Sequence, residues 1–158
     1  MPQLVKGGKY VFGWTRINKD YSIRIPDETY DEYHFSRTDK LIILSGSKSS
    51  GGFSIITPDS MLNSKLSENI IRLFGYQKET NSFTTNKLEI IKYRERLISW
   101  TSVGKERYFR LSDELIFSLK TNVEDRLLVG RGSGLGPAFI VKGIIYQEAL
   151  KHDLLEFN

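Results

Sequence analysis

The sequence predicts a mainly β fold with short helices, formed by two internal repeats that a pseudo-twofold axis relates. The first observation is the repeat itself: Trp14 and Trp100 lie 86 positions apart, and at this spacing residues 14–55 align with residues 100–141 without a gap. The second is the alternation of apolar and polar residues over short stretches, which is typical of strands. The third is composition: 158 residues, 39% hydrophobic and 12% aromatic, are enough for a packed core.

The repeat retains aromatic, charged and small residues alike. The identities pair Trp14-Thr15 with Trp100-Thr101, Lys19 with Lys105, Arg24 with Arg110, Asp27-Glu28 with Asp113-Glu114, Asp39 with Asp125, Leu41 with Leu127, Gly46-Ser47 with Gly132-Ser133, and Phe53 with Phe139. Two copies are too few for a solenoid. Each copy of about fifty residues also buries too little surface to be stable alone. We therefore expect one shared core, arranged as in a symmetric dimer.

Each copy has the same predicted plan of strand, turn, strand, helix and two further strands. The predicted strands are 10–17, 22–25, 41–44 and 53–56 in the first copy, and 97–103, 108–111, 127–129 and 139–141 in the second. Period-two alternation directs Ile23 and Ile25 inward and Arg24 outward. Pro26 and Ser112 suit the starts of helices over 27–34 and 113–120. The acidic pairs that follow complement the positive end of a helix dipole.

The copies are predicted to be separated by an insert. The domain boundaries are residues 1–60 for repeat 1, 61–87 for a helical insert and linker, and 88–158 for repeat 2 with a C-terminal helix. Apolar spacing predicts a helix over 61–74, or a shorter one from Ser67-Glu68, and Gly75 ends it. Residues 88–93 are predicted to form a strand. A helix over 143–152 matches residues 57–66 of repeat 1, so it too is expected to be duplicated.

Composition excludes several classes of site. The chain has no cysteine, so disulfides, thiolate metal sites and thiol nucleophiles are absent, as in a reducing cytoplasm, where we expect the protein to be located. No secretory leader and no apolar run of membrane-spanning length is visible. The net charge of +4 permits nucleic-acid binding without requiring it. Ordinary solvated surface charge explains it equally well.

No pattern indicates catalysis or a cofactor. His34 and His152 share neither a repeat position nor a metal-ligand spacing. No motif marks a serine nucleophile with its base. Asp27 and Asp113 could form a symmetric carboxylate pair, but the Asp-Thr/Ser-Gly turn of the acid proteases is missing, and helix capping explains both acids better. We expect neither enzymatic activity nor a cofactor or metal. The two tryptophans are expected in the core, the alternative being platforms for nucleic-acid bases.

The plan strand, turn, Ile23-Arg-Ile-Pro-Asp-Glu28, helix, Asp39-Lys-Leu-Ile-Ile-Leu44, glycine turn and strand resembles the swapped-hairpin AbrB-like domain of the AbrB, MazE and SpoVT type. Residues 18–56 carry this pattern, and residues 104–142 carry it with Ser112 in place of the proline. The string from Leu127 to Gly143, followed by Glu148-Ala149 and His152, is similar to tandem proteins of this class. The resemblance implies a small swapped-hairpin barrel, closed here by both repeats of one chain. A homodimer of such chains is left open.

The resemblance also implies binding of DNA and a role in transcription regulation. Two positions that are often basic in the family are here Tyr30 and Asp31, and Ile116 and Phe117 in the second copy. The DNA-binding candidates are therefore the other basic residues near the hairpin: Lys9, Arg16, Lys19, Arg24, Lys105, Arg107 and Arg110. Arginine would contact guanine edges and lysine would neutralise phosphate.

The alternative is a degenerate member of the class that binds a protein or a small anion and not DNA. In that case Arg24 and Arg110 pair with the helix-start carboxylates of the opposite repeat. A continuous basic face favours DNA, and carboxylate-paired arginines favour the alternative. A candidate anion-binding loop consists of Arg131, Gly132, Ser133 and Gly134, although such a glycine-rich stretch between strands is more typical of a hairpin turn.

Overall fold

Helices and strands follow one another in the same order in both halves of the chain. The computed structural model describes residues 2–5, 8, 10–65, 67–132 and 135–158. In these ranges the first half consists of β1 (Val11–Arg16), β2 (Ser22–Arg24), α1 (Asp27–Glu32), β3 (Lys40–Ser45), β4 (Phe53–Ile56) and α2 (Pro58–Leu62). The insert contributes α3 (Ser67–Phe74) and β5 (Ile91–Tyr93). The second half consists of β6 (Arg96–Ser102), β7 (Tyr108–Arg110), α4 (Asp113–Ser118), β8 (Arg126–Gly130), β9 (Ala138–Ile140) and α5 (Ile144–Ala149). The fold is mainly β with short helices, as predicted.

Strand pairing connects the two halves in both sheets. Seven strands form an antiparallel sheet in the order β1-β8-β9-β4-β3-β6-β5, and β2 and β7 form a separate two-stranded sheet. The first strand of each half thus pairs with the third strand of the other half, β1 with β8 and β6 with β3. Two contacts join residues 86 positions apart: Ile23 faces Phe109 across β2 and β7, and Phe53 faces Phe139 across β4 and β9.

The expected closed barrel is not formed by the described strands. The large sheet is open, with the C-terminal segment beside β1 at one edge and β5 as the strand at the other edge. At β1, the Trp14 amide donates to the Leu155 carbonyl and the Phe157 amide donates to the Trp14 carbonyl, both at 2.8 Å. Gly13 allows this approach, since its φ is +147° and a Cβ there would lie 2.6 Å from the Leu155 oxygen. At the other end, β5 covers β6.

The main apolar core lies between the two-stranded sheet, one face of the large sheet, and helices α1 and α4. On the opposite face of the large sheet, the two tryptophans lie in separate smaller clusters. Trp14 packs against α5, and Trp100 packs against the insert, where Phe83 stacks on it with ring centroids 4.6 Å apart. Both indoles are buried, so the prediction that they are core residues is confirmed.

The ends of several elements differ from the prediction for local reasons. Helices α1 and α4 end two residues early because His34 and Lys120 adopt left-handed backbone conformations, with φ of 58° and 57°. The insert forms the shorter predicted helix, α3, which ends before Gly75 at φ +60°. The predicted strand 88–93 narrows to β5, and Leu88 has a positive φ of 67°. Ser112 caps α4 as predicted, because its hydroxyl accepts from the Leu115 amide at 3.1 Å.

Candidate nucleic-acid interface

The candidate site is the outer side of the two-stranded sheet, together with the turns at 18–21 and 104–107 that precede its strands; we call this the ribbon face. Because side chains alternate along a strand, Ile23 and Phe109 point into the core and are almost fully buried. Arg24 and Arg110 lie on the outer side, with 33% and 64% of their side-chain surfaces exposed. The predicted outward direction of both arginines agrees with this arrangement.

Matching hydrogen bonds hold both strands of the ribbon in place. The Thr15 hydroxyl donates to the Arg24 carbonyl at 2.8 Å, and the Thr101 hydroxyl donates to the Arg110 carbonyl at 3.1 Å. Both threonines are buried. Each arginine side chain therefore projects from a backbone position that a buried group fixes.

The two turns have nearly the same backbone. Tyr21 and Arg107, 86 positions apart, have φ values of 71° and 72°. The Ile25 amide donates to the Arg107 carbonyl at 2.8 Å, and the Leu111 amide donates to the Tyr21 carbonyl at 3.2 Å. Each turn thus hydrogen-bonds to the strand end of the other half, which brings its side chain to the start of the opposite helix.

Two arginines engage Asp27 at the start of α1. Arg24 Nη2 lies 3.0 Å from Asp27 Oδ1, and Arg107 Nη1 lies 2.5 Å from the same oxygen. The Arg107 guanidinium also lies over the Tyr30 ring, 4.8 Å from its centroid. The hydrogen bond from Arg107, more than that from Arg24, lowers the pKa of Asp27 below its usual value.

The other half uses different groups at the corresponding places. Tyr21 lies beside Asp113 at the start of α4, and the interaction with this carboxylate raises the pKa of Tyr21. Arg110 Nη2 lies 3.2 Å from Asp20 Oδ2 in the opposite turn. The pKa of Asp20 is lowered, chiefly by the hydrogen bond that the Ser22 hydroxyl donates to it.

The alternative reading named the wrong partners for the two arginines, although it was right that carboxylates pair with them. Arg24 binds the helix-start carboxylate of its own half, and Arg110 binds a turn carboxylate of the other half. The cation that reaches across to the opposite helix start is Arg107. Sequence spacing could not reveal this contact, because it depends on the left-handed turn that directs Arg107 toward Asp27.

The remaining DNA-binding candidates are Arg16, Lys19, Lys105 and Lys9. Lys19 and Lys105 are exposed, and neither they nor Arg16 forms an ion pair with the part of the chain that the structure describes. Lys9 lies outside the described residues. A groove of about 780 Å³ runs beside the ribbon and mixes both signs of charge. Its charged lining residues are Arg16, Lys19, Arg110, Asp20, Glu106 and Glu124.

In the candidate anion-binding loop, the arginine is already paired with a carboxylate of the same chain. Arg131 Nε donates to Glu32 Oε2 at 3.0 Å, and Nη2 donates to Oε1 at 2.6 Å. This two-pronged bond raises the pKa of Arg131. Gly132 follows it in the loop, and Ser133 and Gly134 lie outside the described residues. The guanidinium is therefore already matched by a carboxylate of α1.

Within the described ranges, no cluster of three or more histidine, aspartate or glutamate side chains is arranged to hold a metal ion. His152 lies beside Glu148, with Nε2 3.4 Å from Oε1, and this contact lowers the pKa of Glu148. Asp27 and Asp113 are each engaged by a different side chain from the opposite turn, and neither pairs with the other. Among the helices of the described ranges, none has the length and apolarity needed to cross a bilayer.

No model of a protein family matches the chain, and a search of curated proteins finds no significant match.

Proposed function

We propose that the chain is a fused pair of AbrB-like units, related by a pseudo-twofold axis, that binds duplex DNA and acts as a transcription regulator. The fusion is supported by contacts that occur twice at a spacing of 86 residues. The Ile17 amide donates to the Asp125 carbonyl at 3.1 Å, and the Val103 amide donates to the Asp39 carbonyl at 2.9 Å. Pairing of each first strand with the third strand of the other half is what interleaved hairpins require.

DNA binding rests on one observation, the two-stranded ribbon that carries Arg24 and Arg110 on its outer side, where 33% and 64% of their side-chain surfaces are exposed. The major groove of B-DNA is wide enough for a two-stranded β-ribbon. Ile23 and Phe109 anchor the ribbon to the core beneath these arginines. Lys19 and Lys105 extend the cationic surface at the two turns, where phosphates would flank the groove.

The ion pairs of the ribbon face do not prevent this function. Asp27 and Asp20 are both about half exposed, and exposed ion pairs contribute at most about 1 kcal/mol to stability. A DNA phosphate can therefore replace either carboxylate as the partner of an arginine at small cost. Phosphate contacts also gain from the release of counterions.

The same ion pairs favour a second candidate, a fold of this class that binds a protein or a small anion and not DNA. Arg24, Arg107 and Arg110 all have carboxylate partners, and the groove beside the ribbon holds equal numbers of basic and acidic residues. A surface of balanced charge lacks the long-range attraction that concentrates DNA on a basic face.

Fluorescence anisotropy with random duplex DNA, from low to physiological salt, tests the proposal. We expect binding that weakens steeply with salt. Replacing both Arg24 and Arg110 by alanine should weaken binding roughly 30-fold or more and reduce the salt slope by about 2, while the melting temperature changes little.

The matched control removes the same charge by replacing Arg72 and Arg94 with alanine. These two exposed arginines lie in α3 and in the turn between β5 and β6. This control should bind DNA like the parent protein. An equal loss of DNA affinity in both variants would show that the effect comes from net charge alone. Absence of binding at low salt would reject DNA as the partner and leave the second candidate.

A further inference from the structure

A cleft of about 490 Å³ lies between the two halves, lined by the β3–β4 loop of the first half and by the end of α4 and the residues after β9 of the second. Its cations are Lys48, Lys120 and Lys142, and Glu95 is the carboxylate among its lining residues. None of these four side chains forms an ion pair within the described ranges. We call this site the lysine cleft; it has an excess of two positive charges.

At the place related to this cleft by the repeat, an ion pair joins the two halves. Shifting by 86 positions takes Ser45, at the end of β3, to Arg131, and takes Ser118, the last residue of α4, to Glu32. Arg131 and Glu32 bond to each other through two hydrogen bonds, as described above. Two serines therefore stand where the other half has a long cation and a long anion, and the shorter side chains leave the cleft open.

The two places also differ in their balance of charge. At the equivalent place, Glu32 of the first half supplies the anion that pairs with Arg131 of the second half. At the cleft, Lys48 of the first half and Lys120 and Lys142 of the second lack a matching set of carboxylates. We propose that the lysine cleft binds a small molecule through a phosphate group, which takes the role that Glu32 has at the equivalent place. This proposal is independent of DNA binding by the ribbon face.

Phosphate fits the groups that line the cleft. Lysine ammonium groups bind phosphate as point charges without the planar geometry that arginine imposes. The Ser45 hydroxyl accepts from the Leu97 amide at 2.9 Å, which leaves its own hydrogen for an acceptor on the ligand. Gly51, at φ +63°, lets the loop lie close to Val141, where a Cβ would come within 2.6 Å of a Val141 methyl. The volume is that of a typical small-molecule site.

Isothermal titration calorimetry with sodium pyrophosphate, at constant ionic strength in chloride, tests the proposal. Replacing Lys48 and Lys142 by glutamine should weaken pyrophosphate binding about tenfold or more, since charge-assisted hydrogen bonds are lost. The matched control replaces the exposed Lys87 and Lys92 by glutamine, and should bind as the parent does. Equal weakening in the two variants, or absence of binding by the parent protein, would overturn the proposal.

A second variant transfers the closed arrangement to the open cleft. The double variant Ser45→Arg with Ser118→Glu should form an internal ion pair like that of Arg131 and Glu32, and it should abolish pyrophosphate binding. Thermal melting shows whether this variant is folded. If it is not folded, the lysine variants still decide the result. Duplex DNA forms the second arm of the test. Suppose that the parent protein does not bind pyrophosphate, but that the lysine substitutions weaken binding of the protein to DNA. The cleft then contacts a DNA backbone, and the small-molecule proposal fails.

Discussion

The two halves of the molecule agree in backbone and differ in side-chain charge. Tyr21 and Arg107 share a left-handed φ, and so do His34 and Lys120. Yet the guanidiniums of Arg107 and Arg24 form ion pairs with Asp27, whereas the corresponding Asp113 interacts with the uncharged side chain of Tyr21. Buried packing and main-chain hydrogen bonds therefore fix the fold in both halves and leave exposed positions free to differ. The same residue type at Arg24 and Arg110, although its carboxylate partners differ, suits a symmetric partner such as DNA. The difference at the lysine cleft suits a ligand bound once.

The largest effect is expected where the halves meet in the core. Phe109 is buried, faces Ile23, and packs edge-on against Phe53 and Phe139 at centroid distances of 6.0 and 5.7 Å. Phe109→Ala should lower the free energy of unfolding by about 3–5 kcal/mol, because it removes a large apolar side chain and leaves a cavity. Urea denaturation measures the change. Phe117→Ala, at a side chain that is 83% exposed, should change stability by less than about 0.5 kcal/mol. Similar losses in both variants would contradict the assignment of the core.

A smaller effect tests whether the halves are equivalent. Thr15→Val and Thr101→Val each remove a hydroxyl that donates to an arginine carbonyl of the ribbon. Each should lower the free energy of unfolding by about 1 kcal/mol, since a partly buried carbonyl loses its donor. The two losses should agree closely in parallel urea denaturation experiments. A clear loss of stability in one variant alone would show that the two hydrogen bonds do not stabilise the ribbon equally.

The smallest effect concerns acid stability. The pKa of Asp27 is lowered in the folded state, so the stabilisation from its ionised form is present above the unfolded value of about 4 and is lost as pH falls through the folded value. Asp27→Asn should therefore make the melting temperature fall less steeply below pH 4. Combining it with Arg107→Gln should give a coupling free energy below about 1 kcal/mol at neutral pH, as is usual for an exposed pair. An acid slope identical to that of the parent would show that Asp27 has no such role.

Much of the fold could be predicted because the signals are local and occur twice. Alternation identified β2 and β7 and the outward direction of Arg24, and Ser112 marked the start of α4. The ends of α1 and α4 were missed because left-handed conformations at His34 and Lys120 carry no glycine signal. The open sheet was missed because it depends on the C-terminal segment that hydrogen-bonds to β1.

The charged contacts were less predictable than the elements that carry them. Arg131 and Glu32 are 99 residues apart, and neither spacing nor composition links them. The three lysines of the lysine cleft likewise come from separate segments around residues 48, 120 and 142. Such contacts depend on the strand order, which places the end of α1 beside β8 and the end of α4 beside β3. The sequence identified the ribbon arginines as a candidate site and could not give their partners.

The facing pairs at the centre have a consequence for how this protein can change. In a dimer of identical chains, a residue that meets its own copy is always replaced on both sides at once. Here Phe53 stacks on Phe139, with centroids 5.1 Å apart and planes within 7°, while Ile23 meets the larger Phe109. A single chain lets each side of such a contact mutate alone. The central core can thus adjust its volume by one side chain at a time, and an unequal pair such as Ile with Phe is a solution that identical chains cannot reach.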